Sequence, residues 1–377
     1  MNFLSWYFIK LYTLKVNYRL KIVLISTASI TYKYPSNIGI LLCGHGSRDP
    51  QAEKEFINVV KKIKSRIPNI PVLYGFLEFN RPIISVALDQ FRNMGVKRVI
   101  ALPAMLFAAG HTKNDIPAVL NKYSAENGLS IQYGRELGLN SLMIGAAGAR
   151  VREIIEINPI FPLSETLLVV AGRGSSDPDA NSNVCKITRM LVEGFGFGWG
   201  ETVFSGVTFP LVEPGLRHAL KLGFKRVIVL PYFLFSGVLV SRVRDHSLRV
   251  SNENKDVQFL NASYLSDQDL VIDNFMERIH EVLNGENFMN CSLCKYRSNL
   301  LGFESEVGYE QKSHHEHFEG CLENCTDCGL KECECKNEKT SFSENNAKVH
   351  SHNHFPYPHS EHPLGPVTLR SFNNSQI

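Results

Sequence analysis

From Ile38 the chain alternates short apolar runs with amphipathic stretches. "IGILLCG" has no polar position to turn toward water, and "KRVIALPAML" has none after its first two residues. Such runs predict strands buried on both faces. Between them, "QAEKEFINVVKKIKSRI" puts Phe56, Val59, Val60 and Ile63 on one helical face. "VLYGFLEF" reads as the next strand, and "PIISVALDQFRNMG" as a helix opened by Pro82 and closed by Gly95. Buried strands alternating with amphipathic helices predict an α/β fold of βαβ units, a Rossmann-like parallel sheet with helices on both faces.

The pattern then recurs. "GVKRVIALPAMLF" (Gly95 to Phe107) is matched 128 positions later by "GFKRVIVLPYFLF" (Gly223 to Phe235). "LLCGHGSRDP" is matched at the same offset by "VVAGRGSSDP", with Arg173 in the place of His45. Two segments in one register predict a duplicated domain, with halves at 36–155 and 160–285. Similar parallel-sheet halves are expected to face a cleft between the C-terminal ends of their strands.

The flanks differ in character. Residues 1–35 are aromatic and basic, and Lys10, Lys15, Arg19 and Lys21 interrupt every apolar run. No stretch reaches the roughly 20 apolar residues that span a bilayer. A secretory signal is not expected, whereas a targeting peptide, a membrane-surface helix and an over-long start stay open. In 286–377 the amphipathic period fades after "GFESEVG", and Cys, His, Asn and Ser take over. This tail is expected to be irregular unless a metal orders it.

Composition narrows the functional classes. Across 377 residues, 44% are hydrophobic and 20% charged, ordinary for a globular protein. A net charge of +3 without a basic stripe argues against nucleic acid. Seven of nine cysteines fall between Cys291 and Cys335, which reads as local metal binding rather than a disulfide scaffold. A cytoplasmic small-molecule enzyme without stable membrane insertion is the expectation.

Three side chains gather at one predicted sheet edge. His45 stands between two glycines after the first strand, and His111 follows Gly110 after the third. Glu78 ends the strand between them. Two imidazoles and a carboxylate suit a divalent first-row metal, or proton removal from a substrate. Asp115 either orients the loop or caps a helix with Ile116 and Pro117.

"LLCGHGSRDP", "GFLEFNRP" and "LPAMLFAAGHTKNDIP" together resemble the class II tetrapyrrole chelatases, in particular the long CbiX-type sirohydrochlorin cobaltochelatases. The resemblance covers about 38 to 335. It implies insertion of Co²⁺ into sirohydrochlorin during cobalamin synthesis, beside other enzymes of that route. His45 and His111 are then expected to bind the metal and take protons, with Glu78 assisting. Ferrochelatase or nickel chelatase activity is the alternative within the class, and a tetrapyrrole-binding metallochaperone the alternative outside it.

The second half departs from that pattern. Arg173 replaces one histidine, Val238 or Leu239 the other, and Glu78 falls opposite Pro210 when "FNRP" is set against "LVEP". This half is expected to lack metal chemistry. Arg173, with Arg242 and Arg244 as weaker candidates, suits the acetate and propionate groups of sirohydrochlorin.

"MNCSLC" is similar to the Met-x-Cys-x-x-Cys motif that long CbiX proteins associate with an iron–sulfur cluster. Cys291 and Cys294 give two thiolates of the usual four, with Cys321, Cys325 and Cys328 among those left to complete the set. Zinc, with His314, His315 or His317, is the alternative. The spacing in "CLENCTDC" also occurs in radical S-adenosylmethionine enzymes, but nothing else in the chain does. Histidines 314–317 and 350–362 suit a role in gathering Co²⁺.

Overall fold

The computed structural model describes residues 34–286 and 288–308. Two four-stranded parallel sheets carry the fold. The first has the order β2-β1-β3-β4, from β1 (Ile38–Gly44), β2 (Val72–Phe76), β3 (Arg98–Pro103) and β4 (Ser130–Tyr133). The second repeats it as β6-β5-β7-β8, from β5 (Thr166–Gly172), β6 (Trp199–Phe204), β7 (Arg226–Pro231) and β8 (Gln258–Asn261). β1 and β5 are buried at every position, as their unbroken apolar runs require.

Helices cover the sheets. α1 (Pro50–Arg66) buries Phe56, Val59, Val60 and Ile63, the face read from the sequence. α2 (Ile84–Asn93) and α3 (Ile116–Asn127) complete one core with Leu88, Phe91, Leu120 and Tyr123. In the second half, α5 (Pro178–Phe195), α6 (Val212–Ala219) and α7 (Val238–Glu253) play the same parts. Each fully buried Val, Leu, Ile or Phe contributes about 1.5–3 kcal/mol, so these faces outweigh the modest helix propensity of their β-branched residues. Asp49 caps α1 by accepting from the Gln51 amide, with Pro50 as first helical residue. Asp177 and Pro178 repeat the device on α5.

The two halves exchange a helix. α4 (Ser141–Ile157) follows β4 but packs against β7 and α5 of the other half. α8 (Asp269–Leu283) follows β8 and packs against β3 and α1. Small residues on α4, Ala146, Ala147 and Gly148, bring it close to Phe195, and Arg152 lies over that ring at 5.4 Å. On α8, Asn274 donates to the Leu137 carbonyl at 3.0 Å and Asp273 accepts from Arg66 at 2.8 Å. A cut between 155 and 160 therefore separates a helix from the sheet it covers.

The C-terminal sheet edges meet. Phe107 stacks on Tyr232 at 5.7 Å, and Phe56 meets Phe235 edge-on at 5.7 Å. Beyond α8 the described tail has two single 3₁₀ turns, Cys291–Leu293 and Glu304–Glu306, and no strand or longer helix.

Candidate active site

His45 is the first residue after β1. Gly46 gives the loop its shape, because at φ +96° a Cβ there would lie 1.7 Å from the Glu78 carbonyl oxygen. The Leu77 and Glu78 amides donate to the carbonyls of Gly44 and His45 at 2.8 and 2.9 Å. These bonds fold the segment after β2 back onto the β1 loop and bury Glu78 to 4% exposure. His111 opens a single π-helical turn, His111–Asp115, that runs directly into α3.

The three side chains converge. His45 Nε2 lies 3.0 Å from Glu78 Oε1 and 3.1 Å from His111 Nε2. One ligand atom from each lies within 4.8 Å of the others, a group able to hold a metal ion. His45 Nδ1 faces the Gly46 carbonyl at 3.0 Å, and His111 Nδ1 faces Asp115 Oδ2 at 2.6 Å. The Asp115 carboxylate holds the proton of His111 on Nδ1 and leaves its Nε2 with a lone pair, whereas His45 meets an acceptor at each nitrogen, the Gly46 carbonyl and the Glu78 carboxylate. The His111 lone pair and the Glu78 carboxylate both face His45 Nε2, so the three groups converge on a place suited to one proton or one cation. Burial lowers the His111 pKa; the hydrogen bond to Asp115 opposes this, and the nearby His45 ring and Arg173 guanidinium add to the lowering. The ring is thus a neutral imidazole near neutral pH.

Asp115 is not a helix cap. Its backbone is already helical and its side chain makes no capping bond; it is the partner of His111, with Asn114 Nδ2 donating to its other oxygen. Sequence spacing alone left that choice open.

Equivalent positions in the second half follow from backbone pairing. The Ser205 amide bonds to the Gly172 carbonyl as Leu77 does to Gly44, and Ser241 to Gly237 as Lys113 to Ala109. Glu78 therefore corresponds to Gly206, not to Pro210, which matches Pro82; the "FNRP"–"LVEP" alignment was four residues out of register. His111 corresponds to Leu239. Arg173 takes the place of His45, is exposed, and lies near enough for its charge to act on His111. Arg242 is half-buried, its Nη1 3.5 Å from the Ser205 carbonyl. Arg244 is exposed, and its charge acts on Tyr264.

The halves are clamped by groups that sequence reading missed. Lys113, 4% exposed in its side chain, bonds Asp177 at 2.7 Å and Asp179 at 3.6 Å. In return, Asp49 Oδ2 accepts from the Ser236 hydroxyl and Glu55 from the Ser236 amide and the Tyr264 hydroxyl. The repeated Ser-x-Asp-Pro in "GSRDP" and "GSSDP" was the available signal, since both aspartates cap a helix and reach across. Nothing in the sequence marked Lys113 or Glu55 as buried.

The tail segment docks beside this region. Asn290 donates to Asp179 at 3.3 Å, and the Tyr296 hydroxyl lies near Gly110. Met289, Cys291 and Arg297 border a cavity of about 280 Å³ together with Thr112 and Tyr133. Cys291 is exposed and accepts from Arg297 at 2.9 Å, while Cys294 is buried. Cys321, Cys325, Cys328 and the histidine clusters lie outside the described residues. Among the described residues no helix is long and apolar enough to cross a membrane.

The CbiX family model matches twice, at 39–154 and 167–282. The chain belongs to the CbiX family. A sirohydrochlorin cobaltochelatase of Priestia megaterium is 39% identical over 267 residues, 70% of this chain and 85% of that protein. A sirohydrochlorin ferrochelatase of the same organism is 26% identical over 232 residues, 61% and 85% of the two chains. Among solved structures, SirB from Bacillus subtilis with Fe³⁺ superposes with a TM-score of 0.57 at 25% identity, covering 65% of this chain and 95% of its own. The two CbiX repeats each span one four-stranded sheet.

Proposed function

We propose that this CbiX protein is a metal chelatase, a sirohydrochlorin cobaltochelatase that inserts Co²⁺ into sirohydrochlorin and releases two protons. The observation that carries the reading is the convergence of His45, His111 and Glu78 ligand atoms within 4.8 Å of one another, in the loops that follow β1, β2 and β3. The substrate metal enters as a dication and the ring gives up two N–H protons, so net charge is conserved. Neutral imidazoles supply both functions, as ligands that bind the ion without excess charge and as bases for the protons. Asp115 steadies the imidazolium that forms if His111 takes one. Glu78 offsets part of the metal's charge before transfer.

Cobalt is favoured because the cobaltochelatase relative is more similar than the ferrochelatase relative, 39% against 26% identity. Arg173 is the proposed anchor for a substrate carboxylate, and Arg242 and Arg244 are secondary candidates; Arg173→Ala should weaken sirohydrochlorin binding. In the tail, Cys291 and Cys294 would supply two thiolates of an iron–sulfur centre, or of a zinc site. The Arg297 guanidinium donates to Cys291 Sγ at 2.9 Å, beside the place where such a centre would sit. The test is anaerobic insertion with Co²⁺, Fe²⁺ and Ni²⁺ in competition, followed by the absorbance of each metallated product. Cobalt product should dominate; preferential iron product would make the protein a ferrochelatase.

A further inference from the structure

The turn after Glu78 holds a bulky residue where glycine would be at ease. Phe79 has φ +65°, and the Asn80 amide bonds back to the Glu78 carbonyl at 2.8 Å. That is a γ-turn of the strained, positive-φ kind. The second half repeats it: Val207 has φ +67°, and the Thr208 amide donates to the Gly206 carbonyl at 2.7 Å. Left-handed backbone is disfavoured for aromatic and β-branched residues, so an apolar side chain at both apices needs a reason beyond the turn.

Position supplies one. The Phe79 ring lies 5.9 Å from the His45 ring, tilted by 31°, and is half-buried. The exposed Arg48 guanidinium sits 5.0 Å from the centre of the same ring. The platform is rigid: the Ser47 amide donates to Asn80 Oδ1 at 2.6 Å, and Asn80 Nδ2 donates to Glu53 at 3.1 Å. The sequence thus runs outward from the metal-binding group to an apolar ring and then to a cation. A tetrapyrrole has that order too, with central nitrogens, flat apolar faces and a rim of carboxylates.

We propose that Phe79 is the shelf on which the tetrapyrrole ring lies beside the metal-binding group, and that Arg48, stacked on Phe79, holds a rim carboxylate. This deepens the chelatase reading and rests on it. Arg48 corresponds to Ser176 and Arg173 to His45, so each half offers one arginine at a different place in the same loop. The two cations then meet different edges of the substrate.

The test measures two equilibria on the purified full chain, sirohydrochlorin alone and Co²⁺ alone, with insertion by the wild type as control. Phe79→Gly relaxes the turn, so melting temperature should hold or rise. Sirohydrochlorin binding should weaken about tenfold, Co²⁺ binding should stay as in the wild type, and Phe79→Trp should restore the ring affinity. Arg48→Ala should weaken sirohydrochlorin about fivefold, by an amount that shrinks as salt is raised. Unchanged sirohydrochlorin binding in Phe79→Gly overturns the shelf while leaving the chelatase reading intact. Equal loss of Co²⁺ and sirohydrochlorin overturns it too, because Phe79 would then only support Glu78. A wild type that binds no sirohydrochlorin overturns both.

Discussion

Replacing Lys113 by methionine should unfold the clamp between the halves without leaving a hole. Methionine keeps the length and most of the volume, so the packing change alone costs little, under about 1.5 kcal/mol. The charge is another matter. Asp177 is fully buried and Asp179 nearly so, and both lean on the same ammonium, at 2.7 and 3.6 Å. Removing one partner of a buried ion pair costs about 3–5 kcal/mol, because the other charge stays desolvated. With two carboxylates abandoned, the upper end of that range is expected, a large share of a typical stability of about 5–15 kcal/mol. The loss should also depend on pH. Burial raises the Asp179 pKa, and Lys113 holds it back. Without Lys113 it climbs further, and the folded state then binds a proton more readily than the unfolded chain. Stability of the variant relative to the wild type therefore recovers as pH falls. Urea unfolding followed by circular dichroism, near neutrality and about two pH units lower, measures both effects. A deficit below about 1 kcal/mol, or one equal at both pH values, would refute the argument and place both aspartates in contact with water.

Other outcomes follow from the loops and the site. Gly46→Ala and Gly174→Ala should each cost at least about 2 kcal/mol, since each Cβ would lie under 2 Å from a carbonyl oxygen at positive φ. Only Gly46→Ala should also weaken Co²⁺ binding by calorimetry, because the atom it displaces belongs to Glu78. Asp115→Leu should lower Co²⁺ affinity about 10–100-fold, whereas Asp115→Asn, still an acceptor for His111 Nδ1–H, should lose far less; equal losses would show that charge rather than ring orientation matters. Because the His111 pKa is lowered, its imidazole stays neutral into mild acid. In His45→Ala, where His111 is the remaining imidazole ligand, the acid limb of Co²⁺ binding should accordingly fall below about pH 6.5, the unperturbed imidazole value, and a limb above it would contradict the burial of that ring.

Much of the scaffold was legible because of how parallel sheets are buried. β1 and β5 touch helices on both faces, so their sequences are unbroken apolar runs with clear ends. The edge strands were not legible: "SIQY" alternates exposed and half-buried positions, and "QFLN" is half-buried throughout. Four such residues carry too little pattern to separate from a loop. The helix exchange was hidden for another reason. Amphipathic spacing shows that α4 and α8 bury a face, but not whose sheet they bury it on. At the site, His45, Glu78 and His111 were legible because glycines and strand ends marked their loops. The Asp115 partnership was not, since a residue four places from His111 meets it in a helical turn and misses it in a loop. The register around Glu78 failed because "FNRP" and "LVEP" share only the proline, and the turn's hydrogen bonds, not its letters, fix the alignment.

The central claim is that the first half performs insertion and the second is a copy that does not. The direct measurement is the anaerobic rate of cobalt insertion into sirohydrochlorin by His45→Ala, His111→Ala and the double variant, each with a wild-type circular dichroism spectrum. The account predicts that each single variant loses at least about two orders of magnitude, and that the double variant loses little more, since the two rings hold one metal between them. Insertion at the wild-type rate by the double variant would contradict it.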